Sequence, residues 1–385
     1  MRPRSVGSAG EQPPVERQAP APAGPLSAER DHRYGVYVHV PFCERRCDYC
    51  AFATWTDRHH LQAAYVDACV QEVVSAALPP ATSVFFGGGT PSLLPPALLL
   101  RILDAIARVP GAEVTVECNP DTVTPALLES YLAGGVNRLS FGVQSMVPHV
   151  LASLGRTHDV ANVSRCAALA RSLGFASWNM DLIHGAFGES SDDWRRTVSS
   201  VLELEPPHLS AYALTVEQGT PLAADATRHP DEDDEADKYL VVDAMCAEVG
   251  LASYEISNWA RPAHECRHNL LYWTQGNYRG IGCAAHSHAS GRRWWNVRTP
   301  ERYIALLAAG KSPLAASESL DAEAQRVEGL QLSLRTSAGV PASSLSSADV
   351  AALGGLLVVA EDDDVRVRLS VTGRLLANEV AVRLR

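Results

Sequence analysis

Three cysteines fall within eight residues: Cys43, Cys47 and Cys50, in PFCERRCDYCAF, which runs from Pro41 to Phe52. In a reducing compartment, thiols this close are candidates for metal binding or redox chemistry. A structural zinc site takes four protein ligands, usually from two separated CxxC pairs. Here the spacing is C-x3-C-x2-C and no second pair follows. Zinc on these cysteines with nearby His39 is the plainer alternative. A [4Fe–4S] cluster takes thiolates on its irons, so three of them leave one iron open. The amine and carboxylate of a small molecule could chelate that iron, and the reduced cluster could pass an electron into a bound sulfonium. The other six cysteines (Cys69, Cys118, Cys166, Cys246, Cys266 and Cys283) are scattered and read as buried thiols.

Other polar residues follow at intervals. GGGTP spans 87–91, Glu117 lies in VECNP, Gln144 in SFGVQS, Arg156 in LGRTH and Asp181 in NMDLIHG. Glycines allow backbone carbonyls to approach an ammonium group closely. Taken singly, a glycine run is a tight turn and a polar residue at a strand end is a cap or turn former. Several of them at the mouth of one fold are better explained by one ligand.

The elements that would position them alternate. Strand-like YGVYVHV (34–40), SVFFGG (83–88), EVTVEC (113–118), RLSFGVQS (138–145), SWNMDLIHG (177–185) and HLSAYALT (208–215) are separated by stretches with helical apolar spacing. Six strand-then-helix units predict an α/β fold, a parallel sheet covered by helices and arranged as an open or closed βα barrel. Chemistry then sits at the C-terminal strand ends. The expected organisation is a Pro/Ala-rich disordered tail over 1–32, a barrel over 33–258, a His- and aromatic-rich linker over 259–300 and a small helical, winged-helix-like domain over 301–385. The acidic run DEDDEADKY (231–239) predicts a solvated helix start.

Bulk properties set limits. The 385 residues are 46% hydrophobic and 20% charged, with a net charge of −11. Such a chain supports a large core and lacks the positive field of a general nucleic-acid binder. No run of eighteen apolar residues suggests a membrane span, and the N-terminus has no apolar signal core, so a cytoplasmic protein is expected.

C-x3-C-x2-C after a first strand, with Tyr49 before the last cysteine and a GGG loop after the second strand, resembles the radical S-adenosylmethionine (SAM) superfamily. YVHVPFC, FFGGGTPSLL, SFGVQS, SAYALTVEQGTPL and YEISNWA, in order from residue 34 onward, resemble more closely the oxygen-independent coproporphyrinogen III oxidases and their kin, the HemW haem chaperones. The resemblance implies a [4Fe–4S] cluster on Cys43, Cys47 and Cys50. It implies SAM held by Tyr37 at the sulfonium and Tyr49 at the adenosyl group. Gly88, Gly89 and Thr90 would hold the amino-acid end, and Glu117, Gln144, Arg156 and Asp181 the remaining polar groups. His184 and Phe187 stand where relatives tend to have Tyr and Pro, which leaves the loop shape after Asp181 open.

Two features separate the branches. The oxidases carry a fourth cysteine two residues after the third, where this chain has Phe52, and a long ordered N-terminal arm. CRHNLLYW (266–273) contains HNxxYW, through which the resemblance implies haem binding by His268, Asn269, Tyr272 and Trp273. A neutral imidazole suits haem iron, and Tyr and Trp offer flat apolar faces. A core histidine among packing aromatics is the other reading, and Cys266 and His264 are further candidate ligands. GCAAHSHASGRRWWN (282–296) adds His286, His288, Arg292 and Arg293, which the plainer reading places in a Gly-rich surface loop. The favoured expectation is a haem chaperone with a haem-accepting partner of respiratory type and a reducing donor such as a flavodoxin or ferredoxin. The alternatives are a coproporphyrinogen III oxidase and a regulatory protein whose C-terminal domain recognises a partner.

Overall fold

The computed structural model describes residues 33–156, 158–360 and 365–384. The tail expected over 1–32 lies outside the described residues.

Strand β1 (Tyr34–Val40) leads through a cysteine-bearing loop to α1 (Gln62–Ala76). There follow β2 (Ala81–Gly88), α2 (Pro96–Ala105), β3 (Arg108–Cys118), α3 (Pro125–Ala133) and β4 (Arg138–Gln144). Helices α4 (Pro148–Ser153) and α5 (Val160–Leu173) precede β5 (Ser177–His184), and α6 (Ser191–Leu202) precedes β6 (His208–Ala213). Strands β1 to β6 lie side by side in sequence order, every pair parallel. The fold is the expected α/β partial barrel of six strands. Residue alternation produces its two faces. Val36, Val38 and Val40 are fully buried in the main core with Tyr65, Val66 and Leu99 of the covering helices. Tyr37 and His39 turn to the opposite face.

Local chemistry sets the helix boundaries. Ser190 and Asp193 form a reciprocal capping box at the start of α6. Helix α5 starts on the side chain of Asp159 and ends at Gly174, whose φ of 77° favours glycine. The acidic run starts α7 (Glu232–Glu248), with Asp231 accepting from the Asp234 N–H at 3.0 Å.

Beyond α7 the structure departs from the expected linker. Strands β7 (Ala252–Ser253) and β8 (Asn258–Ala260) add antiparallel strands beyond β6. Helix α8 (Arg267–Trp273) carries HNxxYW, and β9 (Asn277–Ile281) joins the other edge of the barrel, parallel to β1. Strands β10 (His286–Ala289) and β11 (Arg292–Asn296), helix α9 (Pro300–Ala308) and strand β12 (Leu314–Ser319) follow. They complete one sheet in the order β12-β11-β10-β9-β1-β2-β3-β4-β5-β6-β8-β7. No boundary therefore falls at 258/259 or at 300/301: Tyr303 and Leu307 of α9 belong to the main core.

A second core begins at α10 (Ala322–Ser333). It contains Leu330, Leu334, Val367, Leu369 and Val380 among others. The surrounding elements are β13 (Val340–Pro341), α11 (Ser347–Leu353), β14 (Leu357–Ala360) and β15 (Arg366–Leu369), the strands forming a three-stranded antiparallel wing. Two short helices follow, α12 (Val371–Leu375) and α13 (Ala377–Arg383). Arg374 anchors this part to α7, with both guanidinium nitrogens on the Asp243 carboxylate at 3.0 and 2.8 Å.

Candidate functional site

The loop after β1 is closed by a short bridge between Phe42 and Trp55. Trp55 N–H donates to Pro41 O at 2.8 Å and Cys43 N–H to Trp55 O at 3.1 Å. Cys43 is buried, whereas Cys47 and Cys50 are half-buried. Burial pushes the Cys43 thiol up to about 11 and raises Cys50. Arg156 reaches Cys47 Sγ at 3.7 Å while its other nitrogen donates to Gly142 O at 2.9 Å. Among the described residues no three His, Cys, Asp or Glu side chains group where one metal ion would bind them together. A tetranuclear cluster, with one thiolate on each of three irons, does not require such grouping.

The glycine loop lies against this one. Gly89 N–H donates to Val40 O and Thr90 N–H to Phe42 O, both at 2.8 Å. The Thr90 hydroxyl is 3.8 Å from Cys43 Sγ. A Cβ on Gly88, whose φ is 108°, would lie 2.4 Å from His39 Nδ1, and one on Gly89 would lie 2.7 Å from Phe42 O and 3.0 Å from Cys43 Sγ. Both positions therefore need glycine for space, and Gly88 also for conformation.

Glu117 accepts from the Gly88 N–H at 3.2 Å. Burial, reinforced by the nearby Asp181 charge, pushes its carboxyl up to about 8. Tyr37 stands beside it, since a Cβ on Gly87 would lie 3.1 Å from both side chains. His39 Nε2 is 2.9 Å from Ala53 O, so that nitrogen carries the proton and Nδ1 accepts from the Tyr37 hydroxyl at 3.1 Å. Gln144 ends β4 with a φ of 64°, a strained left-handed value for a non-glycine residue. Asp181 accepts from Ser140 at 2.7 Å and Asn179 at 2.8 Å, while burial raises its carboxyl. The structure thus brings Tyr37, Gly88, Gly89, Thr90, Glu117, Gln144, Arg156 and Asp181 to the carboxyl-terminal ends of β1 to β5 and the loops beyond them. Tyr49 packs instead against the satellite cluster of Val147, Leu154 and Leu222. His184 is buried against Trp194, 5.2 Å between rings, and Phe187 is exposed.

HNxxYW lies inside the barrel wall. His268 is 1% exposed. Its Nδ1 is 2.9 Å from Ser83 Oγ, its Nε2 is 2.9 Å from the Tyr272 hydroxyl, and its ring stacks on Phe85 at 5.4 Å. Burial drives its pKa down to about 3. As placed, neither ring nitrogen is free for an iron atom. Tyr272 packs edge-on against Tyr278 at 4.7 Å, and Trp273 buries an indole N–H that finds no hydrogen-bond partner among the described residues. Asn269 donates to Glu255 at 3.1 Å.

That bond ends a chain the sequence reading missed. Asn179 donates to Ser210 at 2.9 Å, Ser210 to Asn258 at 2.6 Å, and Asn258 to Glu255. His208 links Asn179 to the Tyr254 hydroxyl at 2.6 and 2.9 Å. Asp181 is therefore connected through side chains to the HNxxYW helix. The available signal was a polar residue at an inner position of an otherwise apolar strand, such as Asn179 in SWNMDLIH.

Comparison with known proteins matches this architecture. The radical SAM superfamily model covers residues 37–201. The protein named heme chaperone HemW of Mycobacterium tuberculosis (strain CDC 1551 / Oshkosh) is 40% identical over 95% of this chain and 98% of its own length. The chain belongs to the HemW family. HemW of Bacillus subtilis (strain 168) is 33% identical over 90% of this chain and 97% of its own. Among solved structures, coproporphyrinogen III oxidase (HemN) from Escherichia coli, a radical SAM enzyme, superposes with a TM-score of 0.79 at 23% identity. That match covers 91% of this chain and 89% of the other, and it establishes a shared fold between this HemW-family chain and the oxidase.

Proposed function

We propose that this chain is a cytoplasmic haem chaperone that binds a [4Fe–4S] cluster and SAM and hands haem to an acceptor protein. Near-full-length similarity to proteins named heme chaperone HemW carries the reading. It favours a chaperone over an oxidase, whose structural likeness extends to the fold. Cys43, Cys47 and Cys50 would hold the cluster. The donor set suits it: three thiols and no fourth on the loop, beside a glycine cradle that a single Cβ would fill.

When bound, the cluster supplies an open iron for the SAM amino-acid group and an electron for its sulfonium. Gly88, Gly89 and Thr90 would accommodate the amino-acid end, and Glu117 its positive charge. Tyr37 would face the sulfonium, while Gln144, Arg156 and Asp181 would hold the remaining polar groups. Tyr49, on the cysteine loop, would border the adenosyl end. A reducing donor of flavodoxin or ferredoxin type would reach the cysteine loop, where Phe52 is 66% exposed. Among the described residues no helix is long and apolar enough to cross a membrane.

His268, Asn269, Tyr272 and Trp273 enter this reading as the haem-binding segment, with His268 exchanging its bond to Ser83 or to Tyr272 for the iron. Anaerobic titration with hemin tests it. One saturable Soret transition per chain, followed by transfer of the haem to an acceptor, is expected. Absence of any saturable transition would contradict the chaperone role.

A further inference from the structure

We infer that Ser83 and Glu113, neighbours in the barrel wall, are positioning residues for the haem ligand His268, and that iron takes its Nε2. The inference rests on the haem-carrying reading and deepens it. HNxxYW names the ligand but neither the nitrogen that iron takes nor the groups that fix the ring. Both come from barrel strands far from the motif in sequence.

One register row builds the seat. Gly35 of β1 pairs with Ser83 of β2, and Ser83 pairs with Glu113 of β3. Residues paired across neighbouring strands point to one face, and all three meet His268. A Cβ on Gly35 would lie 3.0 Å from His268 Cε1 and 3.1 Å from Nδ1, so the missing side chain makes room for the ring. Ser83 Oγ lies 2.9 Å from Nδ1. Glu113 holds the backbone of the same residue: Oε1 accepts from His268 N–H at 3.0 Å and Oε2 from Arg267 N–H at 3.1 Å. Ser83 and Glu113 are both buried. Helix α8 starts at Arg267, and Cys266 before it makes no side-chain cap. The first N–H groups of a helix have no partner within it. The Glu113 carboxylate satisfies two of them, at the end where negative charge is favoured. The Cys266 thiol, 3.6 Å from Oε1, adds a third contact.

The two ring nitrogens differ in what holds them. Ser83 is fixed in a strand paired on both sides. The Tyr272 hydroxyl, 2.9 Å from Nε2, ends a half-buried side chain that leans edge-on against half-buried Tyr278. A metal-bound imidazole donates its other N–H to a fixed acceptor, which sets the tautomer and raises the basicity of the ligating nitrogen. Ser83 Oγ meets that requirement at Nδ1. Nε2 then carries the lone pair, and Tyr272 is the group that withdraws when iron binds. Burial keeps the imidazole neutral, the form that binds iron.

The test is hemin titration of the full chain, followed by the Soret band and the ferric–ferrous midpoint potential, for wild type, Ser83→Ala, Ser83→Thr, Glu113→Gln and His268→Ala. Ser83→Ala is expected to weaken haem binding on the order of 10–100-fold, the loss typical when a metal ligand loses its hydrogen-bond partner. It should also raise the midpoint potential, because a less basic imidazole stabilises ferric iron less. Ser83→Thr keeps the hydroxyl and should restore both. Glu113→Gln removes the charge and leaves one acceptor for two N–H groups. It should weaken haem binding while the iron and sulfide of the reconstituted cluster stay at the wild-type level. Wild-type affinity and potential in Ser83→Ala, wild-type affinity in Glu113→Gln, or haem binding unchanged by His268→Ala would overturn the assignment while leaving haem carriage intact. A wild-type chain that binds no haem would remove both.

Discussion

Gly89 shows how narrowly the site is built. Any side chain there meets two backbone carbonyls and the Cys43 sulfur. Gly89→Ala is predicted to lower the iron and sulfide retained after reconstitution while far-ultraviolet circular dichroism stays unchanged. Retention at the wild-type level would contradict the cradle. Glu117 gives a second expectation. Its carboxyl titrates at about 8 because burial opposes its charge. A cationic ligand favours the ionised form, so SAM affinity should rise as pH rises through about 8, with proton release on binding. Calorimetry in buffers of different ionisation heat would detect that proton, and Glu117→Gln should abolish the pH dependence. Residue types and spacing made these positions legible in sequence, because thiols, glycines and strand-end carboxylates are few. The surroundings of His268 were not legible, because HNxxYW does not say whether its imidazole faces solvent or the Ser83 hydroxyl.

At the scale of elements, the polar chain from Asp181 to Asn269 joins β5, β6, β8 and α8. Removing Asn258 would leave Ser210 without its acceptor and Glu255 without one donor in a buried setting. The orphaned Ser210 hydroxyl costs about 1–3 kcal/mol, while Glu255 keeps Ser257 and Asn269 as donors. Asn258→Ala should therefore lower unfolding stability by about that amount and weaken SAM binding through Asp181, measured by denaturant midpoint and by titration. A stable variant with unchanged affinity would mean that the chain does not position Asp181. The six barrel strands were legible because β-branched and aromatic residues recur between amphipathic helices. Strands β9 to β11 were not: NYRGI, HSHA and RRWWN carry glycine, histidine and arginine. Their pairing with β1 and with one another is a tertiary choice that local propensity does not encode.

The described residues form one extended sheet with a second, winged core attached through Arg374 and Asp243. The sequence placed that change of core near residue 301, yet Tyr303 and Leu307 of α9 still pack in the barrel. Helical spacing alone does not say which of two cores a helix covers. At this scale the cysteine loop, the glycine loop and the strand ends would together hold a cluster and SAM in a chain that also carries haem. Anaerobic reconstitution followed by iron, acid-labile sulfide and hemin titration on one sample tests it most directly. About four irons and four sulfides per chain are expected, lost in Cys47→Ser, with a saturable Soret transition in the wild type. Stoichiometric zinc with no sulfide, or a complete cluster in a chain that takes up no haem, would contradict it.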